Sequence, residues 1–151
     1  MSRPLRIYLA CTVRGDRRGV VAARAIADRL QRHGHEVLNA HLLSDDVETA
    51  ESQLTEEEVY RRDVERLSTC DALVAEASGS SYGVGFEVGY VLGRARHTGQ
   101  QIVILYDAER RNSISRLITG NCDAVCCTTF AYRSIDDATA FIDRHFAVSP
   151  T

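Results

Sequence analysis

Ser78-Gly-Ser-Ser-Tyr-Gly-Val-Gly-Phe-Glu-Val-Gly-Tyr90 is the stretch from which the fold can be read. Before it stands an apolar run, Asp71-Ala-Leu-Val-Ala-Glu76, with the length and composition of a buried strand. After the turn, Phe86 to Arg94 repeats apolar residues at helical spacing. A strand, a Ser/Gly turn and a helix start gather free backbone N–H groups and the positive end of a helix dipole at one point. That combination is a ready site for an anion. Glu87 falls in the first turn of the expected helix, beside that anion.

Working outward, the same alternation recurs. Leu5–Ala10 reads as a first strand, followed by a polar loop, Cys11–Gly19, and a helix over Val20–Arg32 that Gly34 closes. Glu36–Leu38 is a short second strand, and the acidic stretch Ser44–Thr55 reads as irregular. Thr55 with Glu58 three residues on is a capping box, opening a helix to about Ser68. Asp71–Ala77, Gln101–Tyr106 and Ala124–Thr128 are the remaining strands. Helices are expected over Phe86–Arg96, Ser113–Thr119 and Ile135–Phe146. Short apolar strands alternating with helices predict an α/β fold, a three-layer flavodoxin/Rossmann-like domain spanning 1–151. Its five-stranded parallel sheet takes the order 2-1-3-4-5, and the loops after strands 1 and 3 meet at the switch point where ligands bind.

A chain of 151 residues, 44% hydrophobic and 26% charged, is an ordinary globular composition. A net charge of -3 argues against nucleic-acid binding, which needs a basic surplus. No apolar run approaches a membrane span, and the apolar stretch within Met1–Ala10 is too short for a signal peptide, so a cytoplasmic location is expected. The five cysteines form no C-x-x-C pair and have no His at finger-like spacing, so neither a metal nor another cofactor is expected.

Two carboxylates stand out. Glu87 is flanked by Phe86 and Val88, with Gly85 and Gly89 leaving room for an approaching group. Asp63, in Arg61-Arg-Asp-Val-Glu-Arg-Leu67, shares a helix stripe with Val59, Tyr60 and Leu67, whereas Arg61, Arg62 and Glu65 point elsewhere. An acid on an apolar stripe needs a partner or a purpose. Two such acids facing one crevice suit glycosidic-bond chemistry, one as nucleophile and one as proton donor. Arg14 with Gly15 could clamp a phosphate from the first loop. Arg17 and Arg18 read as solvated, Tyr8 as core, and His41 as a surface histidine.

The segments Ile7-Tyr-Leu-Ala-Cys-Thr-Val-Arg-Gly15, Arg61–Leu67 and Ser80-Ser-Tyr-Gly-Val-Gly-Phe-Glu-Val-Gly-Tyr90 resemble the nucleoside 2-deoxyribosyltransferase superfamily. Within it they are most similar to the 2'-deoxynucleoside 5'-monophosphate N-glycosidase branch, with a likeness also to cytidylate and hydroxymethylcytidylate hydrolases. The resemblance implies an enzyme that splits a (2'-deoxy)nucleoside 5'-monophosphate into free base and (deoxy)ribose 5-phosphate. It assigns Glu87 as the nucleophile at C1', Asp63 as the acid assisting base departure, and Tyr8 as an aromatic lying against the sugar. Arg14, Gly15, Ser81 and Gly83 match phosphate-binding positions, and His41 and Leu117 match positions near the base. Ser115 matches a serine that reaches the phosphate across a homodimer interface. Cys11 stands where the family often has Gly, which bears on the base accepted. Base exchange between nucleosides and non-catalytic nucleotide binding are the alternatives.

Overall fold

The apolar runs expected as strands assemble into one sheet in the computed structural model, which describes residues 3–147. The two ends of the expected 1–151 domain therefore lie outside the described residues. The strands are β1 (Arg6–Ala10), β2 (Glu36–Val37), β3 (Ala72–Glu76), β4 (Gln101–Asp107) and β5 (Cys127–Tyr132). All neighbouring pairs are parallel and the order is β2-β1-β3-β4-β5, as the alternation predicts.

Successive strand residues face opposite sides, so each central strand feeds two cores. Ile7, Leu9, Val74, Val103 and Leu105 face α1 (Val20–Arg32) and α6 (Ile135–Phe146), meeting Ile26, Leu30, Ile142 and Phe146. Tyr8, Ala10, Leu73, Ala75, Ile102 and Ile104 face the other way. They meet Leu67 of α3 (Glu56–Thr69) and Val84, Val88 and Val91 of α4 (Tyr82–Thr98). Each fully buried Ile or Leu here contributes roughly 1.5–3 kcal/mol of transfer free energy, which is what holds the helices on the sheet. Among the described residues no helix is long and apolar enough to cross a membrane.

Four boundaries differ from expectation. Helix α4 begins at Tyr82, not Phe86, because the Ser81 hydroxyl accepts the Val84 N–H at 3.3 Å and caps the helix a turn early. Glu87 consequently sits in the second turn rather than the first. The Ser44–Thr55 segment contains a short helix, α2 (Val47–Glu51), anchored by buried Val47. Strand β5 runs Cys127–Tyr132 because the register with β4 pairs Ile102 with Cys127 and Asp107 with Tyr132. Its partial exposure between buried Cys127 and Tyr132 is that of an edge strand, not a continuous apolar run. The expected Ser113–Thr119 helix is a 3-10 turn over Ala108–Ser113 followed by α5 (Arg116–Thr119), with Ser115 as its cap.

The loops after β1 and β3 interlock at the switch point. A Cβ on Gly79 would stand 2.2 Å from the Asp16 carbonyl oxygen and 2.5 Å from the Thr12 hydroxyl, so only glycine allows this crossing. Arg110 ties the same two loops together, donating to the Ser78 carbonyl at 2.9 Å and pairing with Asp16. Arg17, expected to be solvated, also braces the region, donating to the carbonyls of Thr12, Val13, Leu42 and Ser44.

Candidate active site

A cleft of about 620 Å³ opens above the carboxyl ends of β1 and β3, within the size range of small-molecule sites. Glu87, Asp63, Arg14, Ser81 and Gly83 all line it, so two loops and two helices deliver five of the expected residues to one space. Its walls near α3 are apolar, from Leu42, Leu54 and Val59.

Glu87 comes from α4 and is half-buried, with its carboxylate toward the cleft. Tyr8, at 0% exposure in β1, donates its phenol O–H to Glu87 Oε1 at 2.7 Å. Burial pushes the Glu87 carboxyl from 4.5 up to about 7; the Tyr8 hydrogen bond opposes that shift and the nearby Asp63 charge adds to it. The second-turn position leaves little role for the helix dipole, whose effect fades beyond the first turn. The Tyr8 phenol is itself pushed far up by burial and by the charges of Glu87 and Asp63, so it stays protonated and acts as a donor.

Asp63 projects from α3, whose start is locked by the Thr55/Glu58 capping box. Its carboxylate is gripped by the neighbouring Arg62, Nε to Oδ1 at 2.8 Å and Nη2 to Oδ2 at 3.1 Å. The same guanidinium holds Glu51 at the end of α2, Nη1 to Oε1 at 2.7 Å and Nη2 to Oε2 at 3.1 Å. Arg62 was expected to point away with Arg61 and Glu65; instead it folds back and is largely buried between two acids. Glu51 lines the cleft too, and its pKa is lowered chiefly by the Arg62 hydrogen bond. Neither Glu51 nor Arg62 was legible as a site residue, because their pairing depends on where α2 packs.

At the opposite end, Ser81 caps α4 by accepting a backbone N–H, which leaves its own O–H free to donate. Arg14 is exposed on the cleft rim and makes no ion pair with any described residue. Gly15 follows it with φ +99, a left-handed conformation that a glycine adopts without strain. Cys11 lines the cleft floor as a neutral thiol, pushed up to about 12 by burial and by the Glu76 charge.

The other expected residues stand apart. His41 is exposed and lies behind Glu51, its Nε2 3.6 Å from Oε1. Burial, with Arg62 and Arg66 close by, lowers its pKa. Ser115 and Leu117 line a neighbouring cavity of about 500 Å³ that shares Ser80, Ser81, Tyr82 and Val84 with the cleft.

Comparison with known proteins places the chain among similar ones. Residues 7–116 match the family model described as nucleoside 2-deoxyribosyltransferase. A protein of Thermofilum pendens, provisionally named 2'-deoxynucleoside 5'-phosphate N-hydrolase 1, is 36% identical over 142 residues, covering 92% of this chain and 93% of its own. The 5-hydroxymethyl-dUMP N-hydrolase of Esox lucius is 28% identical over 145 residues, covering 94% and 96%. The solved CMP N-glycosidase of Clostridium botulinum superposes with a TM-score of 0.66 over 93% of this chain and 98% of that one. At 19% identity, that last likeness concerns the fold.

Proposed function

The chain belongs to the nucleoside 2-deoxyribosyltransferase family, and on that premise we propose how its cleft acts as an N-glycosidase of nucleoside 5'-monophosphates. The enzyme hydrolyses the base–sugar bond, giving free base and (deoxy)ribose 5-phosphate. The observation that carries the mechanism is the half-buried Glu87, bonded by Tyr8 and facing the same cleft as Asp63 and the capped start of α4.

The phosphate sits at the start of α4, taking the Ser81 hydroxyl, the free N–H groups of the first turn including that of Gly83, and the Arg14 guanidinium beside Gly15. This places C1' against Glu87. As the C1'–N bond breaks, the base leaves with the bond pair and takes up a proton, helped by Asp63, while a Glu87 oxygen bonds to C1'. Water then attacks C1' of the ester, loses a proton and restores the carboxylate. Tyr8, buried behind Glu87 rather than lining the cleft, holds the carboxylate in aim and lowers the cost of the anion, since its O–H favours the charged form.

A homodimer supports the phosphate end. Tyr82 and Phe86 are exposed beside Gly85, Gly89 and Gly93, none of which has an atom within 4 Å of an added Cβ, and Leu117 is also exposed. Such an apolar face without side-chain bulk suits helix-to-helix contact with a second copy. Ser115 of the partner subunit would then reach the phosphate, and the partner subunit's Leu117 the base, while His41 acts only through Glu51.

The testing experiment is release of free base from a panel of ribo- and deoxyribonucleoside 5'-monophosphates, with matched nucleosides as controls. Cleavage of monophosphates but not nucleosides is expected. Turnover only when a second free base is added would move the chemistry to base exchange. Saturable binding with no base released would make the chain a nucleotide-binding module.

A further inference from the structure

The base end of the cleft holds an acceptor that the glycosidic chemistry does not use. Leu42, Leu54 and Val59 give apolar walls that suit a flat ring; two carboxylates stand among them, the exposed Glu56 and Glu51, which Arg62 holds in a fixed orientation beside Asp63. Arg62 holds both Glu51 and Asp63 yet does not line the cleft, whereas the two carboxylates both do. An ionised carboxylate has about four acceptor sites and no donor. Arg62 occupies one on each Glu51 oxygen, so acceptor capacity remains. His41, at 3.6 Å, is beyond direct hydrogen-bond reach of Oε1.

We propose that Glu51 reads the base, accepting a hydrogen bond from an exocyclic amino group, so that amino-bearing bases are favoured over their oxo counterparts. This rests on the N-glycosidase reading above. Carboxylates accept from the N4 amino group of cytosine by the same logic. Replacing that amino group by a carbonyl turns lone pairs toward a fixed anion and leaves the acceptor unpaired. A site built to hydrogen-bond one partner rejects the mismatched analogue strongly for this reason.

The cleanest test uses base pairs related by exchange of amino for oxo, with the adjacent ring nitrogen gaining an N–H: dCMP with dUMP, and dAMP with dIMP. The wild-type protein is expected to prefer the amino member of each pair by at least about 10-fold in kcat/KM. Ratios at or below one in both pairs would overturn the proposal while leaving the glycosidase intact. Base release from no nucleotide at all would overturn the glycosidase reading, and this one with it. In Glu51→Gln, the side-chain amide can donate as well as accept, so both ratios are expected to collapse toward one. A uniform fall for amino and oxo substrates, with the ratios kept, would show that Glu51 only supports Arg62 and Asp63, and would also overturn the assignment.

Discussion

Glu76 and Glu87 are both enclosed carboxyls near the carboxyl end of the sheet, and each takes a hydrogen bond from a tyrosine hydroxyl. Tyr132 donates to Glu76 at 2.8 Å on the α1/α6 face, and Tyr8 donates to Glu87 at 2.7 Å on the α3/α4 face. Burial raises the pKa of both. They differ in what is left over. Glu76 also takes the Ser78 hydroxyl and, at 3.3 Å, the Ser78 N–H, and it is sealed at 1% exposure. A Cβ on Gly19 would stand 1.7 Å from its Oε2, so only hydrogen fits there. Among the described residues Glu87 takes a hydrogen bond from Tyr8 alone, and it opens onto a cleft. A raised pKa thus marks enclosure in both cases; unspent bonding capacity with access to the cleft separates the acid proposed to react from the one that only braces the fold.

The sharpest way to break this contrast is Glu87→Gln. Turnover should fall by at least about 10³-fold, since an amide cannot form the ester. The fold should hold and even gain stability. A carboxyl whose pKa is about 7 folded and near 4.5 unfolded contributes most below pH 4.5 and loses that contribution as pH rises through 7. The melting temperature of Glu87→Gln should therefore exceed the parent's at pH 8 and converge with it near pH 4, which thermal scans at both pH values would check. Normal turnover in this variant would remove Glu87 from the chemistry.

Glu76→Ala should invert the pattern. It strips partners from Ser78 and Tyr132 and leaves a void, at a cost of about 2–4 kcal/mol. Chemical denaturation should show that loss, while the folded fraction keeps most of its kcat and shows a raised KM for monophosphates through the loosened Ser78–Ser81 turn. A smaller effect is expected from Tyr8→Phe. Without the phenol donor the Glu87 pKa rises further, so the ascending limb of the kcat/KM pH profile should move above its parent position near 7, with roughly a 10-fold loss at neutral pH. An unmoved limb would detach Tyr8 from Glu87. The smallest effect should come from Ser81→Ala. Loss of the cap costs about 1 kcal/mol of stability, and KM for the monophosphate should rise several-fold with kcat nearly kept.

Features settled by local chemistry were legible in the chain. The Thr55/Glu58 box forms as its spacing implies, with Thr55 N to Glu58 Oε2 at 2.7 Å and Glu58 N to Thr55 Oγ1 at 3.2 Å. The parallel order followed from alternation alone, and it brought Asp63, Glu87, Arg14, Ser81 and Gly83 to one cleft. What escaped depends on contacts between distant segments. Tyr132 finds Glu76 only because β5 pairs along Cys127–Tyr132, a register that no stretch of sequence specifies by itself. Glu51 finds Arg62 only because a five-residue helix, too short and too charged to announce itself, packs through Val47. The start of α4 was misplaced by a turn because glycines weaken helix propensity, and tertiary packing of Val84, Val88 and Val91 overrides that preference.

The crossing of the two loops at Gly79 and the Arg110 tie between them have a thermodynamic consequence for binding. A phosphate cradle made of free loops must be ordered by its ligand, and each immobilised flexible side chain subtracts about 0.5–1.5 kcal/mol from affinity. Here folding has already ordered the backbone of both loops through the Gly79 crossing and the Arg110 tie, and the exposed Arg14 side chain is what remains to be fixed. On the reading proposed above, most of the binding energy of the phosphate is thereby left for aligning the sugar with Glu87, and arrival of the nucleotide need not wait for the floor of the site to assemble.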